Sequence, residues 1–136
     1  MSNSHSFPVR VYYEDTDFSG VVYHASYLRF LERGRTELLR TLDIHQGAIS
    51  VKDPASRFGF AVRAMTIEFL KPARMDDLLT IETRKISVNG ASLELQQKIL
   101  RGEELLVSAE VRIACVSDGR PARLPADIRD KLTGWS

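Results

Sequence analysis

The sequence predicts an α+β fold in which a curved antiparallel sheet of about five strands wraps around one long helix. Three observations carry this. Helical apolar spacing occurs over one long stretch only, beginning near His24. After it the chain returns to strand-like apolar and polar alternation in about four successive segments. No helix separates those segments, so the regular alternation of a parallel α/β sheet is excluded. A lone amphipathic helix must bury its apolar stripe, and the following strands are the elements available to cover it.

Each element has a local reason. Residues 8–14 read as the first strand, with Val9 and Val11 alternating with Arg10 and Tyr12. The turn-rich Asp15-Thr-Asp-Phe-Ser-Gly20 stops it. Tyr27, Leu28, Leu31, Leu38, Leu39 and Leu42 then recur at helical spacings, which predicts a helix from about His24 to about Asp43. Gly34 inside this run costs about 1 kcal/mol against alanine. A sheet passing close to the helix axis would call for it. Residues 44–57, with Gly47 and Pro54, read as a loop holding one short helical turn. Residues 58–70 form a long strand that Pro72 ends. Beyond the Asp76-Asp77 turn, residues 78–88 and 91–101 pair across Asn89-Gly90, a strong hairpin turn. Gly102-Glu103 turns the chain again. In 104–116, Leu105, Val107, Ala109, Val111, Ile113 and Cys115 face one way, and Glu110 and Arg112 the other. Asp118-Gly119 closes that strand. Pro125 is placed as the first position of a short terminal helix containing Ile128 and Leu132.

Composition narrows the function classes. The 136 residues fit one domain spanning 1–136. That leaves little chain for a deep cleft inside one protomer, whereas a subunit interface could build one. Lys and Arg number 19 against 18 Asp and Glu, mixed along the chain without a basic run, which argues against nucleic acid as a partner. The one cysteine, Cys115, rules out a disulfide within the chain and fits a reducing compartment. Flanked by Ile113, Ala114 and Val116, it reads as a small core residue rather than a thiol nucleophile. The polar N-terminus has no apolar targeting core, and no stretch approaches the ~18–20 apolar residues of a membrane span. The expectation is a soluble, cytoplasmic protein without a transmembrane segment.

The stretch that carries chemistry runs from Tyr13 to Tyr27, where a strand hands over to a helix. The helix start offers unpaired N–H groups and partial positive charge, a setting that stabilises an oxyanion. Asp17 lies a few residues upstream, and nearby positive potential is expected to keep it ionised. A carboxylate beside an oxyanion hole suits thioester hydrolysis. A thiol with a pKa near ~8.5 departs as thiolate without strong acid help. No Ser–His–Asp triad is then required, and the chain has no Gly-x-Ser-x-Gly elbow. Asp17 could attack the carbonyl directly or activate water.

The string Val9-Arg-Val-Tyr-Tyr-Glu-Asp-Thr-Asp17, followed by Gly20-Val-Val-Tyr-His-Ala-Ser-Tyr27 with Glu32 and Arg35, resembles the 4-hydroxybenzoyl-CoA thioesterase family. It is most similar to the Tol–Pal-associated acyl-CoA thioesterase branch of that family (YbgC type). Met65-Thr-Ile-Glu-Phe69, Pro72-Ala-Arg74 and Asp76-Asp77 extend the likeness over nearly the whole chain. The resemblance implies a hotdog fold, acyl-CoA as substrate, no cofactor, and a homodimer or homotetramer with the cleft at a dimer interface. It also implies a link to the Tol–Pal system. By position, the catalytic aspartate falls on Asp17 and the oxyanion donor on the His24 backbone N–H. The Tyr13 and His24 side chains are implied to stand in the site. CoA contacts are implied near the Asn89-Gly90 hairpin. Asn89, Ser92, Arg84 and Arg123, with Lys85 and Arg120, are the candidates there. The segment 118–123 is shorter and less basic than the branch leads one to expect.

Plainer readings stand beside these. Asp17 could be a turn or capping residue, although the full motif favours catalysis. Asp15 reads as a turn residue. Glu14, Asp15 and Asp17 lack a second ligand cluster, so no metal is expected. Tyr13 is a site wall or donor, with core packing its rival. Glu32 falls two turns after His24 and reads as structural, pairing with Arg29 or Arg35. Two other functions compete. One is a non-catalytic module binding acyl-CoA or acyl carrier protein. The other is a dehydratase, for which the His-Phe-Pro-Gly motif is missing.

Overall fold

The computed structural model describes residues 4–44 and 58–135. The expected loop over 44–57 lies outside these residues except for Ile44. Strand β1 covers Ser4–Arg10 and helix α1 covers His24–Thr41. Four long strands follow: β2 Gly59–Phe69, β3 Leu78–Val88, β4 Ser92–Arg101 and β5 Glu104–Ser117. A two-residue β6, Arg120–Pro121, and helix α2, Ala126–Gly134, end the chain. All strands are antiparallel in the order β1-β3-β4-β5-β2, with β6 on β5.

The first strand stops earlier than its alternation predicts. At Tyr13–Asp15 the chain makes a 3-10 turn instead. The Asp15 carboxylate accepts the Tyr12 N–H at 2.9 Å, and the Asp15 N–H donates to the Tyr12 carbonyl at 3.0 Å. A short acidic side chain has here offered the backbone a local partner and outcompeted the ladder. Asp15 is buried, at 3% exposure.

Helix α1 packs over β1 and β3. Gly34 allows the close approach: a Cβ there would lie 2.5 Å from Ile81 Cγ2. Beneath the helix, Phe30, Leu31, Leu38, Ile81, Leu95 and Ile99 are fully buried. Side chains of this size contribute about 1.5–3 kcal/mol each when removed from water.

Strand β5 shows the expected inward set with one change. Ile99 pairs with Val107 but Leu100 pairs with Leu105, so Leu106 is the extra residue of a bulge. Leu106 is fully buried while Leu105, expected inward, is half-buried. Cys115 is fully buried, and that burial pushes its thiol pKa up, as befits a core residue. At the far edge, β2 pairs on one side only, and Val62 and Phe69 stand 46% and 43% exposed.

Candidate active site

The loop between the 3-10 turn and α1 is a tight hairpin. Thr16 bridges Val22, and the Asp17 N–H donates to the Val21 carbonyl at 2.9 Å. Gly20 turns the hairpin at φ +82°, in the left-handed region that favours glycine. The hairpin is pinned from both sides. Val21 bridges Arg74, and the Val22 N–H donates to the Ala73 carbonyl at 2.8 Å. The buried Tyr27 hydroxyl accepts the Ala73 N–H at 2.9 Å. Asp15 braces the loop to the helix: its carbonyl accepts from Ser26 Oγ at 3.1 Å and its carboxylate lies 3.7 Å from Arg29. Asp15 thus has a structural use beyond a plain turn.

Asp17 is exposed on this hairpin. Its Oδ1 accepts the Ser19 hydroxyl at 2.6 Å and the Ser19 N–H at 2.8 Å. Among the described residues no group is bonded to Oδ2. The pKa lies below the usual carboxylate value, as expected, but the cause differs. The Ser19 hydroxyl comes first and the Ser19 N–H second, not the helix start.

Helix α1 begins at His24, with Tyr23 in an extended N-cap conformation and no side-chain cap. Among the described residues no acceptor is bonded to the His24 or Ala25 N–H, so two backbone donors stand open at the positive end of an 18-residue helix. The His24 ring packs on Phe69, centroids 4.8 Å apart. Tyr13 is 81% exposed, which removes the core-packing reading of that residue. Its ring stands on the loop surface near Asp17 in sequence, with no bonded partner for its hydroxyl among the described residues.

An apolar groove runs between α1 and β2, its α1 lining beginning at Leu28, one turn after His24. An open stretch of about 460 Å³ is lined by Leu28, Glu32, Arg35, Val62, Met65 and Ile67. It shares Glu32, Arg35 and Val62 with a deeper pocket of about 210 Å³ that reaches Leu39, Phe60, Leu95 and Ile113. Arg35 does not pair with Glu32. Its Nη1 donates to Gln97 Oε1 at 3.0 Å, and Gln97 Nε2 donates to the Leu31 carbonyl and to Thr83 Oγ1, each at 3.0 Å. Burial lowers the Arg35 pKa, and the negative charge of Glu32 opposes this. Arg29 goes to Asp15 and Ser26, so neither pairing expected for Glu32 forms a short ion pair.

The remaining candidates lie elsewhere. Asn89 Nδ2 donates to Ser92 Oγ at 3.2 Å, and the Arg123 guanidinium lies over Gly90. These three share the β3–β4 hairpin end. Through the register Ser92–Ala114–Ala61 this end lies beside the start of β2. His24 packs on Phe69, the last residue of β2, at the other end of that strand. The eight-residue step from Ala61 to Phe69 spans roughly 26 Å at ~3.3 Å per residue. Arg84 is on the outer face of β3, 3.5 Å from Glu82, opposite in phase to the inward Ile81 and Thr83. Lys85 donates to the carbonyls of Leu132, Thr133 and Trp135 and so caps the C-terminal end of α2. Arg120 is exposed in β6.

So Asp17, the His24 N–H and Tyr13 lie on one stretch of chain between β1 and α1, and the hairpin between β3 and β4 gathers Asn89, Ser92 and Arg123. Among the described residues no three His, Cys, Asp or Glu side chains cluster as metal ligands. Two polar contacts in this region escaped the sequence reading. Ser19 could have been found from the Asp-x-Ser spacing, which lets an aspartate accept from the residue two ahead. Gln97 stands at an inward position of β4 between Leu95 and Ile99, a polar residue in an apolar phase.

Residues 11–132 match the family described as the thioesterase-like superfamily. The chain is 43% identical over 131 residues to acyl-CoA thioesterase YbgC of Haemophilus influenzae, covering 95% of this chain and 94% of that protein. It is 49% identical over 125 residues to acyl-CoA thioester hydrolase YbgC of Escherichia coli O157:H7, covering 90% of each. Among solved structures, the "Probable Thioesterase from Bartonella henselae" superposes with a TM-score of 0.85 at 48% identity, covering 90% of this chain and 100% of that one.

Proposed function

This chain belongs to the thioesterase-like superfamily of hotdog proteins, and on that premise we propose that it hydrolyses acyl-CoA thioesters through Asp17. The single observation that supports the assignment is a juxtaposition in sequence: Asp17, held ionised with no partner bonded to its Oδ2 among the described residues, precedes the start of α1, whose first N–H groups have no bonded acceptor among the described residues. The thioester carbonyl oxygen takes the His24 N–H, which stabilises the negative charge that develops as the carbonyl carbon is attacked. In direct attack, Asp17 Oδ2 bonds to that carbon and the C–S bond breaks. CoA leaves as thiolate, and water then cleaves the mixed anhydride to give the free acid. In the water route, Oδ2 takes a proton from water as the hydroxyl adds to the same carbon, and the adduct then collapses with C–S cleavage, CoA again leaving as thiolate. Both routes use the same oxygen and the same donor.

The acyl group has the α1–β2 groove to lie in, because that groove is mostly apolar and its lining starts at Leu28, one turn after His24. CoA contacts from Asn89, Ser92 and Arg123 require a second copy. The free edge of β2 is long and carries exposed apolar residues, an edge that proteins ordinarily cover or pair. Antiparallel pairing of two β2 edges would bring the Gly59 end of one copy beside the Phe69 end of the other. The hairpin of one protomer then faces the Asp17 loop of its partner. A homodimer of this kind, doubled to a homotetramer, also answers the shortage of chain for a cleft. Among the described residues no helix is long and apolar enough to cross a membrane. A cytoplasmic setting, acyl carrier protein as a further partner and a link to the Tol–Pal system rest on the resemblance.

The test is thiol release from acyl-CoA by the wild type and by Asp17→Asn. We expect kcat to fall by roughly 10²–10⁴ in the variant with the fold intact, the scale of losing a catalytic acid–base group. Wild-type turnover by the variant would refute the assignment. Binding of acyl-CoA without any thiol release would point to a non-catalytic module instead.

A further inference from the structure

We propose that Ser19 is a positioning residue for the reaction, its hydroxyl and backbone N–H together clamping Oδ1 of Asp17 so that Oδ2 alone is presented to the substrate. The inference rests on the assignment of Asp17 above. The geometry that carries it is specific. Both donors of one residue converge on one carboxylate oxygen, at 2.6 Å and 2.8 Å, and the second oxygen has no bonded partner among the described residues. The Asp17 side chain is exposed, so packing does not fix its rotamer. Without the clamp the carboxylate would turn about its side-chain bonds, and its two oxygens would exchange places. With it, the reacting oxygen is fixed relative to the hairpin, which the Thr16–Val22 bridge closes, the Val21–Arg74 bridge anchors, and the bond from the Tyr23 N–H to the Asp15 carbonyl at 3.0 Å ties to the start of α1. That is the kind of preorganisation which lowers a barrier through orientation.

The clamp also favours the ionised form. Glu14 and Asp15 on the 3-10 turn, His24 on α1, and Arg74, Asp76 and Asp77 on the bridged segment are the charged or titratable groups around the loop. Asp15 is engaged by the Tyr12 N–H and lies near Arg29, and Asp77 is engaged by the Arg74 N–H and Arg101. The causes that lower the Asp17 pKa are hydrogen bonds, the Ser19 hydroxyl first, rather than any of these charges. Removing that hydroxyl leaves the backbone N–H in place but weakens the hold on the ionised form.

The experiment is the pH profile of kcat/KM for acyl-CoA hydrolysis by the wild type, Ser19→Ala, Ser19→Thr and Asp17→Asn, each checked for folding by circular dichroism. In Ser19→Ala we expect the acid limb to move to higher pH and kcat near neutrality to fall about tenfold, as for a misoriented reacting group. KM should be little changed, because Ser19 does not touch the substrate. Ser19→Thr keeps the hydroxyl and should restore the wild-type limb. An unmoved acid limb in Ser19→Ala would overturn the proposal. So would a loss as deep as that of Asp17→Asn, which would make Ser19 the nucleophile. An Asp17→Asn enzyme as active as the wild type would overturn the functional assignment itself, a result independent of the Ser19 profiles.

Discussion

Replacing Gln97 by methionine isolates the polar pin beneath the helix. The substitution nearly conserves volume and shape, so cavity and strain contributions stay small. What it removes is visible. Gln97 is fully buried and makes three hydrogen bonds: to the Leu31 carbonyl, to Thr83 Oγ1 and from Arg35. Two neutral bonds at about 1 kcal/mol each and one charge-assisted bond at about 1.5–3 kcal/mol give a gross loss of about 4 kcal/mol. Methionine recovers part of this, because a buried amide no longer has to be desolvated. A net destabilisation of about 3 kcal/mol is expected. With a urea m-value of about 2 kcal/mol/M, the unfolding midpoint should drop by about 1.5 M. Urea unfolding at fixed protomer concentration, followed by circular dichroism, measures it, since any assembly makes stability depend on concentration. A midpoint shift below about 0.3 M would refute the reasoning. It would mean that the Arg35–Gln97–Thr83 cluster merely satisfies its own burial and adds nothing.

The remaining predictions concern packing, pH and specificity. Gly34→Ala gains about 1 kcal/mol of helix propensity. It also forces a methyl to 2.5 Å from the fully buried Ile81, an overpacking cost of about 1–3 kcal/mol, so the melting temperature should fall; a rise would show that the helix shifts freely. His5 has a pKa held below 6.5, first by burial and against the opposing charge of Glu37. The unfolded state therefore takes up the proton more readily, and stability is full above pH 6.5 and declines as pH falls toward the lower folded value. His5→Gln should flatten that decline in urea midpoints measured across mildly acid pH, and a slope equal to the wild type would count against it. Val62→Phe narrows the groove between α1 and β2. The ratio of dodecanoyl-CoA to butyryl-CoA turnover should fall by about tenfold, whereas Ile86→Phe on the outer sheet face should leave it alone. Equal ratios in all three proteins would place the acyl chain elsewhere.

Much of this architecture is legible in local chemistry. The spacing of Tyr27, Leu31, Leu38 and Leu39 specifies the helix face that the structure buries, and Asn89-Gly90 specifies the hairpin. Gly34 marks the closest approach of helix and sheet before any strand is placed. The string around Asp17 and His24 points to the candidate site, because residues adjacent in sequence stay adjacent in a tight loop. Each of these is decided within a few residues of chain.

What only the tertiary structure decided depends on residues far apart in sequence. The sequence reading carries β1 through Glu14 and places Leu105 inward. The Asp15 carboxylate and the bulge at Leu106 override it, since a backbone bond gained outweighs a weak local preference. Gln97 becomes a pin for Arg35 only when β4 passes beneath α1. The ionisation of Asp17 was expected from its sequence position, but its cause, the Ser19 clamp, is a side-chain geometry that no periodicity encodes. The distance between Asp17 and Asn89 is set by strand register across the whole sheet, and the open edge of β2 determines how two copies could close it. Sequence by itself thus determined the elements and pointed to the candidate loop, where the forces are local. The tertiary structure alone decided what faces that loop, because those contacts form only after the sheet has paired.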